Sequence, residues 1–265
     1  MIVLGAWHDW RSCWVINSDF AKRLDICGIT CNCSISSYFV KNEVESILNE
    51  LIRDKIKQSK TLRGPFPSFD IEKTPNNPHC LFEEWFQFAI DNDVYEPHSM
   101  TLSTVDKQGY PDSRVLILKD IDEEGWYFAT SSLSKKGEQL RHNPNVSLCF
   151  YWSIVGRQIR IRGTVKKMSQ NLSSLDFMKR GTVAKAVALI EKQSQVLEDP
   201  AEFENALTEK LIGLKDDPSL VSSSWSLYQV DAREVEYWQA NEDRKHIRLV
   251  YRLDGDRWTK NILWP

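Results

Sequence analysis

From Ser99 onward, apolar and polar residues alternate in short runs separated by turn formers, which is the period-2 pattern of half-buried strands. The runs are Met100 to Val105, Ser113 to Leu118, Gly125 to Thr130, Val146 to Trp152 and Gln158 to Lys167, with a turn at Asp106-Lys-Gln-Gly109. Strands resume at Trp225 to Tyr228, Val235 to Gln239 and Ile247 to Leu253, and Asp254-Gly255 is a hairpin signal closing onto Trp258 to Leu263. Many short β-branched or aromatic runs at this spacing predict an antiparallel barrel. Helical spacing is confined to the rest. Ser134 caps a short helix reaching His142, and Ser169 to Gln193 and Pro200 to Gly213 are helical.

Before the strands the texture differs. Val44, Ile47, Leu48, Leu51, Ile52 and Ile56 recur at helical spacing among charges, predicting an amphipathic helix near 41–60. Residues 1 to about 40 show no sustained period, so 1–60 forms an N-terminal extension without an assigned role. Residues 61–97 supply a Pro- and Gly-containing linker and a helix opened by Asn77 as N-cap with Pro78 at its first position. Residues 98–265 form the barrel domain. The expected class is mainly β with flanking helices.

Composition narrows the function classes. With 27% charged residues and a formal net charge of -3, no global field draws the chain to nucleic acid or to an anionic membrane, so any anion site is local. No run approaches the roughly 18 apolar residues of a membrane span, and Met1 to Trp7 is too short and uncharged for a signal peptide. A cytoplasmic location is expected. The six cysteines include Cys27, Cys31 and Cys33, but no second Cys/His pair lies nearby, so reduced thiols are the plainer account and no metal is expected.

Four segments concentrate groups that suit an anionic, electron-rich ligand. Trp238-Gln-Ala-Asn-Glu-Asp-Arg244-Lys-His246-Ile-Arg248 places Arg244, His246 and Arg248 at alternate positions. An extended backbone from Arg244 would point all three to one face, where His supplies a charge change near neutrality. A solvated basic edge strand has the same pattern. In Ser113-Arg114-Val-Leu-Ile-Leu-Lys119 two cations bracket an apolar strand. Thr130-Ser-Ser-Leu-Ser134-Lys135-Lys136-Gly137 brings hydroxyls and two lysines to a helix N-terminus, which favours phosphate, although paired lysines at a turn are as often plain surface. In Tyr151-Trp152 through Arg157-Gln158-Ile-Arg160-Ile-Arg162, polar side chains alternate with isoleucines, and the Gln158 amide could meet the polar rim of a flavin or pyrimidine ring.

Taken in order, Arg-x₄-Lys, Ser-Lys-Lys-Gly, Tyr-Trp with Arg-Gln-x-Arg, and Trp-x₅-Arg-x-His-x-Arg resemble the pyridoxine (pyridoxamine) 5′-phosphate oxidase family from about Pro65 to the C-terminus. The resemblance implies a split β-barrel that binds FMN at a homodimer interface. FMN contacts would fall to Arg114, Val115, Leu116, Ile117, Ala129, Thr130, Lys135, Lys136, Gln158, Gln193, Ser194, Trp238 and Arg248. Lys119 and Arg180 would hold the phosphate of pyridoxamine or pyridoxine 5′-phosphate. Arg244 and His246 would lie over the pyridine ring, so that hydride leaves C4′ for the flavin and O2 reoxidises it.

The substrate side departs from the pattern. Asp176 stands where the family has a phosphate-binding Tyr, Ala184 where it has a phosphate-binding Ser, Ile247 where an Asp is usual, and Ile262 replaces the Arg of an Arg-Leu-x-Pro ending. An ionised Asp about 4 Å from a phosphate charge costs about 4 kcal/mol per charge pair at an effective dielectric of about 20. A one-residue shift on the helix would turn Phe177 to the site instead. An active oxidase predicts Arg180 and Lys119 converging on one anion with Asp176 turned away. A divergent flavin- or pyridoxal-phosphate-binding relative, or a partner-binding protein keeping only the barrel, are the alternatives, and a nicotinamide site is disfavoured because no G-x-G-x-x-G follows a strand.

Overall fold

Alternation along the strands becomes an inside and an outside. In β1 (Ser99–Val105) Met100, Leu102 and Thr104 are buried and their neighbours are not. In β5 (Arg157–Lys167) Ile159 and Ile161 are fully buried while Arg160 and Arg162 face out. With β2 (Pro111–Asp122), β3 (Gly125–Ser131), β4 (Asn145–Trp152) and β6 (Trp225–Gln239) these strands run β3-β2-β1-β4-β5-β6, and a β3–β6 pairing closes them into a six-stranded antiparallel barrel. Closure pairs the two strand edges that would otherwise be free. β7 (Ile247–Asp254) and β8 (Arg257–Ile262) extend the sheet beyond β6, joined by a two-residue turn in which Gly255 adopts a φ of 59°. This computed structural model describes residues 50–265.

The separate strands expected at Trp225 to Tyr228 and Val235 to Gln239 are one 15-residue strand. Its first part pairs β3 from Trp225 to Val230, its last part pairs β7 from Glu234 to Gln239, and β5 follows its other side. At the hand-over the β5–β6 register shifts between Arg162 and Gly163, and a Cβ on Gly163 would lie 2.1 Å from the Asp231 carbonyl oxygen. Only glycine allows that approach, which is why the polar Asp-Ala-Arg-Glu stretch, read as a break, is a bulge inside a strand.

Helix α1 (Pro78–Asp91) stacks Pro78, Phe82, Trp85 and Ala89 on one face and buries them against the barrel, with Leu81 beside them. Asn77 caps it as expected, its Oδ1 accepting from the His79 N–H at 2.9 Å. Phe82 meets Phe150 edge to face at 5.1 Å, and burying such a ring stabilises by roughly 1.5–3 kcal/mol. His79 stacks on Trp126 at 4.1 Å, and its Nε2 is buried without a partner. Burial pushes the imidazole down to about 4, partly opposed by Asp122. The folded state thus prefers the neutral ring while the unfolded chain protonates near 6.5, so this contribution is complete above pH 6.5 and is lost as pH falls toward 4. We expect His79 to account for about 3 kcal/mol of lost stability between pH 7 and 4. Urea unfolding of His79→Phe should show a correspondingly flatter pH profile, and an unchanged slope would disprove the assignment.

The remaining helices are α2 (Lys135–His142), α3 (Gln170–Met178), α4 (Thr182–Leu189) and α5 (Pro200–Asp216). The helical stretch expected over Ser169 to Gln193 is therefore interrupted. It breaks at Lys179–Gly181 and ends in a turn where Glu191 and Ser194 take φ values of 57° and 73°. Residues 1–61 and 62–265 fall into separate units. In the first, residues 50–58 are helical with Leu51, Ile52 and Ile56 exposed. The rest of the helix expected near 41–60, and the Cys27–Cys33 cluster, lie outside the described residues.

Candidate active site

The expected site residues form two groups at opposite ends of β6. At the first end, α2 starts beside the ends of β2 and β3. Ser134 caps it, its Oγ accepting from the Gly137 N–H at 3.2 Å, and a Cβ on Gly137 would come within 2.6 Å of the Ser131 and Ser132 carbonyl oxygens. Glycine there lets the helix N-terminus sit directly on the end of β3. Lys136 is consequently buried, with its ammonium donating to the hydroxyls of Thr130 at 3.3 Å and Ser134 at 3.5 Å. Burial pushes its pKa down and Arg114 adds to this, with Asp112 partly compensating. Arg114 donates to Thr104 Oγ1 at 2.6 Å and pairs with Asp112 at 2.8 Å, while Lys135 reaches the same carboxylate at 3.4 Å. Val115 is exposed, Leu116 and Ile117 are half-buried, and Ala129 and Thr130 are buried.

A second cluster lies at the same end. Ser173 of α3 accepts from the Leu227 N–H at 3.0 Å, fixing that helix against β6, and Phe177 is buried against Trp225. This rotation turns Asp176 toward Lys119 rather than away. Its Oδ1 is 3.7 Å from Lys119 Nζ and its Oδ2 accepts from Trp225 Nε1 at 2.8 Å. The Arg180 guanidinium stacks over the same indole at 4.0 Å and donates to the Ala184 carbonyl at 3.2 Å, with Nε buried and unpartnered. Burial pushes Arg180 down and Asp176 opposes that shift. A cleft of about 270 Å³ opens beside these groups, lined by Ser131, Arg180, Ala188, Gln193, Phe203 and Trp225.

The turn carrying Gln193 and Ser194 is anchored by Glu191, whose Oε1 accepts from Ser222 Oγ at 2.6 Å and the Ser224 N–H at 3.2 Å. The Ser222 bond holds this carboxyl below the ordinary glutamate value. Ser224 Oγ accepts in turn from Ser131. Glu191, Trp225 and Asp112 were missed in the sequence. The serine run Ser222 to Ser224 before Trp225 was the available signal, and the pairing of Glu191 with it is long-range.

At the far end of β6, Trp238 pairs across to Gln158 on β5 and Arg248 on β7. Arg248 donates to Glu236 Oε1 at 2.8 Å and to the Trp264 carbonyl at 3.0 Å, and Arg160 also pairs with Glu236. Burial raises the Glu236 pKa, but the two arginines outweigh it and hold the carboxyl low. His246 leans on Trp238 with ring centroids 4.7 Å apart, and its Nδ1 accepts from the Asn241 N–H at 3.1 Å. The extended segment expected from Arg244 is not formed. β7 begins at Ile247, and Arg244 sits exposed in a turn at φ 61°, its N–H bonded to the Asn241 carbonyl. Asn241 also caps Asp243, and that local turn chemistry outcompetes extension. Of the three, only Arg248 lies in the strand, and Arg244 and His246 both precede it.

Trp225 and Trp238 are thirteen residues apart on β6, about 40 Å of strand. The Lys119–Asp176–Arg180 group and the His246–Arg248 group therefore do not meet within one chain. Among the described residues no group of three or more His, Cys, Asp or Glu side chains could hold a metal ion, and no helix is long and apolar enough to cross a membrane.

Residues 87–211 match the family model described as pyridoxamine 5′-phosphate oxidase, and residues 225–265 match the pyridoxine 5′-phosphate oxidase C-terminal dimerisation region. A pyridoxine/pyridoxamine 5′-phosphate oxidase of Legionella pneumophila is 36% identical over 194 residues, covering 73% of this chain and 90% of that protein. The chain belongs to the pyridoxamine 5′-phosphate oxidase family. Another member, from Paraburkholderia phymatum, is 37% identical over 199 residues, 75% of this chain and 93% of that one. Among solved structures, PhzG from Burkholderia lata 383, in complex with tetrahydrophenazine-1-carboxylic acid, superposes with a TM-score of 0.71 at 28% identity, covering 76% of this chain and all of that one. A pyridoxamine 5′-phosphate oxidase-related, FMN-binding protein from Nostoc punctiforme shares the fold at a TM-score of 0.57 and 18% identity, covering 71% and 97%. The closed barrel with flanking helices is the family's split barrel, and the match at β6 to β8 falls on its dimerisation region.

Proposed function

We propose that the chain is an FMN-dependent oxidase that converts the aminomethyl or hydroxymethyl carbon of a pyridoxamine- or pyridoxine-type ring to the aldehyde, with O2 as electron acceptor reduced to hydrogen peroxide and, from the amine, water consumed and ammonia released. Each site is shared by the two protomers of a homodimer. The observation that carries this reading is the Lys136 ammonium, buried yet satisfied only by hydroxyls, beside Arg114 at the N-terminus of α2. A buried cation of that kind is stabilised by an incoming phosphate, and the helix terminus adds free N–H donors. These groups fit the phosphate of FMN, with Thr130, Lys135 and the Gln193–Ser194 turn around it.

Bound flavin would supply the two-electron chemistry, accepting hydride from the substrate C4′ carbon and returning the electrons to O2. The chain's own residues orient and exclude. From the partner protomer, Gln158, Trp238 and Arg248 line the ring system, with Arg248 held rigid by Glu236. The Asn241 N–H occupies His246 Nδ1, so the neutral imidazole carries its proton on Nε2 and offers a donor to the substrate ring. Arg244, on its exposed turn, closes over the ring from the same side. Lys119 and Arg180 face the substrate's far end. The Asp176 carboxylate paired with Lys119 favours a second reading, a family member whose substrate is not a phosphate ester.

The test is the purified protein's colour and its response to anaerobic pyridoxamine or pyridoxamine 5′-phosphate. We expect about one FMN per chain, bleaching by one of these amines, and recovery on admitting air. A colourless protein that takes up no added FMN would overturn the proposal.

A further inference from the structure

One of the two cations at the Trp225 end of the site already has an anion paired with it. Asp176 pairs with Lys119 at 3.7 Å, caps the Trp225 indole at 2.8 Å, and its charge also acts on Arg180, which lies across the face of the same ring. It is not a loose surface group. Its side chain is only 12% exposed, its helix is pinned to β6 through Ser173, and Phe177 beside it is locked in the core, so it cannot rotate out without unpacking α3. Lys119 is thereby neutralised, and the cradle presents one net positive charge where Lys119 and Arg180 alone would present two. Arg180 lines the cleft, and its guanidinium spends only the bond to the Ala184 carbonyl, with Nε buried beneath the surface and unpartnered. Ala184, next to it, offers only a methyl group and a carbonyl already bonded to Arg180.

We propose that Asp176 is a specificity-determining residue that takes the place of the substrate's phosphate, so that this site selects the unphosphorylated ring, free pyridoxamine or pyridoxine. The 5′-hydroxyl of such a ring accepts a hydrogen bond from the Arg180 guanidinium and brings no charge against Asp176. A phosphate dianion would satisfy the same donor, but it would have to sit within a few ångströms of a carboxylate that is itself fixed. At the effective dielectric of a partly buried site, one like charge at about 4 Å weakens binding several hundredfold before solvent screening, and at least about tenfold should survive it. The selection works by repulsion as much as by fit.

This inference rests on the ring-substrate reading above, and its test separates the two. Calorimetric titration of the FMN-loaded protein with 4-deoxypyridoxine and with its 5′-phosphate, neither of which has an oxidisable 4′ group, measures binding without turnover. We expect the unphosphorylated compound to bind at least about tenfold tighter to the wild type. Asp176→Asn keeps the size and the acceptor for Trp225 while removing the charge, and should reverse that preference. Asp176→Ser serves if the Asn variant does not fold. Tighter binding of the phosphate form to the wild type, or a preference unchanged in the Asp176 variants, would refute the assignment. Binding of neither compound would refute it together with the ring-substrate reading, while the flavin content of the same samples reports separately on FMN.

Discussion

Two inert variants, Arg180→Ala and His246→Ala, should regain activity when their protomers are mixed, dissociated and reassembled. Arg180 belongs to the Trp225 end of β6 and His246 leans on Trp238 at the other end, about 40 Å of strand away. A site needing both must therefore draw them from different chains, and an isologous two-fold dimer with its protomers antiparallel along β6 would set each end of one protomer against the opposite end of its partner. Random reassembly makes about half the dimers mixed. Each mixed dimer carries one doubly mutant site and one fully wild-type site, so about a quarter of wild-type sites should return. The readout is anaerobic flavin bleaching by the preferred amine, before and after mixing. A mixture as inert as its components would show that the two groups do not act in one shared site.

Lys136→Met should yield a well-folded protein that has lost its flavin. Lys136 is buried, its ammonium meets only the Thr130 and Ser134 hydroxyls, and burial already pushes its pKa down, so in the cofactor-free protein it is a cost. A methionine of similar length removes that cost, and we expect the melting temperature of the apoprotein to be unchanged or higher. FMN, however, would lose a largely desolvated charge partner, an effect of about 3–5 kcal/mol, or roughly a hundredfold to several thousandfold in dissociation constant. Fluorescence titration of FMN against apoprotein measures it. A variant that melts early and still binds FMN normally would make Lys136 a structural residue, and the phosphate of the cofactor would have to be sought elsewhere.

Legibility in the sequence followed the range of the interactions. The strand positions, the Asn77 and Ser134 caps and the Gly255 turn were readable because each depends on residues within one or two turns of the chain. The same holds for the ordered motifs that pointed to the family and its split barrel, since they sit on contiguous segments. Arg244 was misplaced because the extended pattern of its neighbours hid an Asn241-based turn. The helical stretch after Ser169 was read without its break for a related reason, as its composition suits a helix, while the chain leaves helical geometry at Gly181, the extended N-cap of α4.

By itself the sequence determined that this is an antiparallel barrel with flanking helices, and it nominated the side chains on which a flavin-type site is expected to draw. Tertiary structure alone decided that β6 is continuous across a glycine bulge, because that depends on how closely the Asp231 backbone approaches Gly163. It also decided that the candidate residues divide between two distant ends of that strand. The direction of Asp176 was likewise undetermined in the sequence. Helical periodicity fixes which residues share a face, but the rotation of that face is set by what the helix docks on, here the Ser173 contact to Leu227 and Phe177 against Trp225.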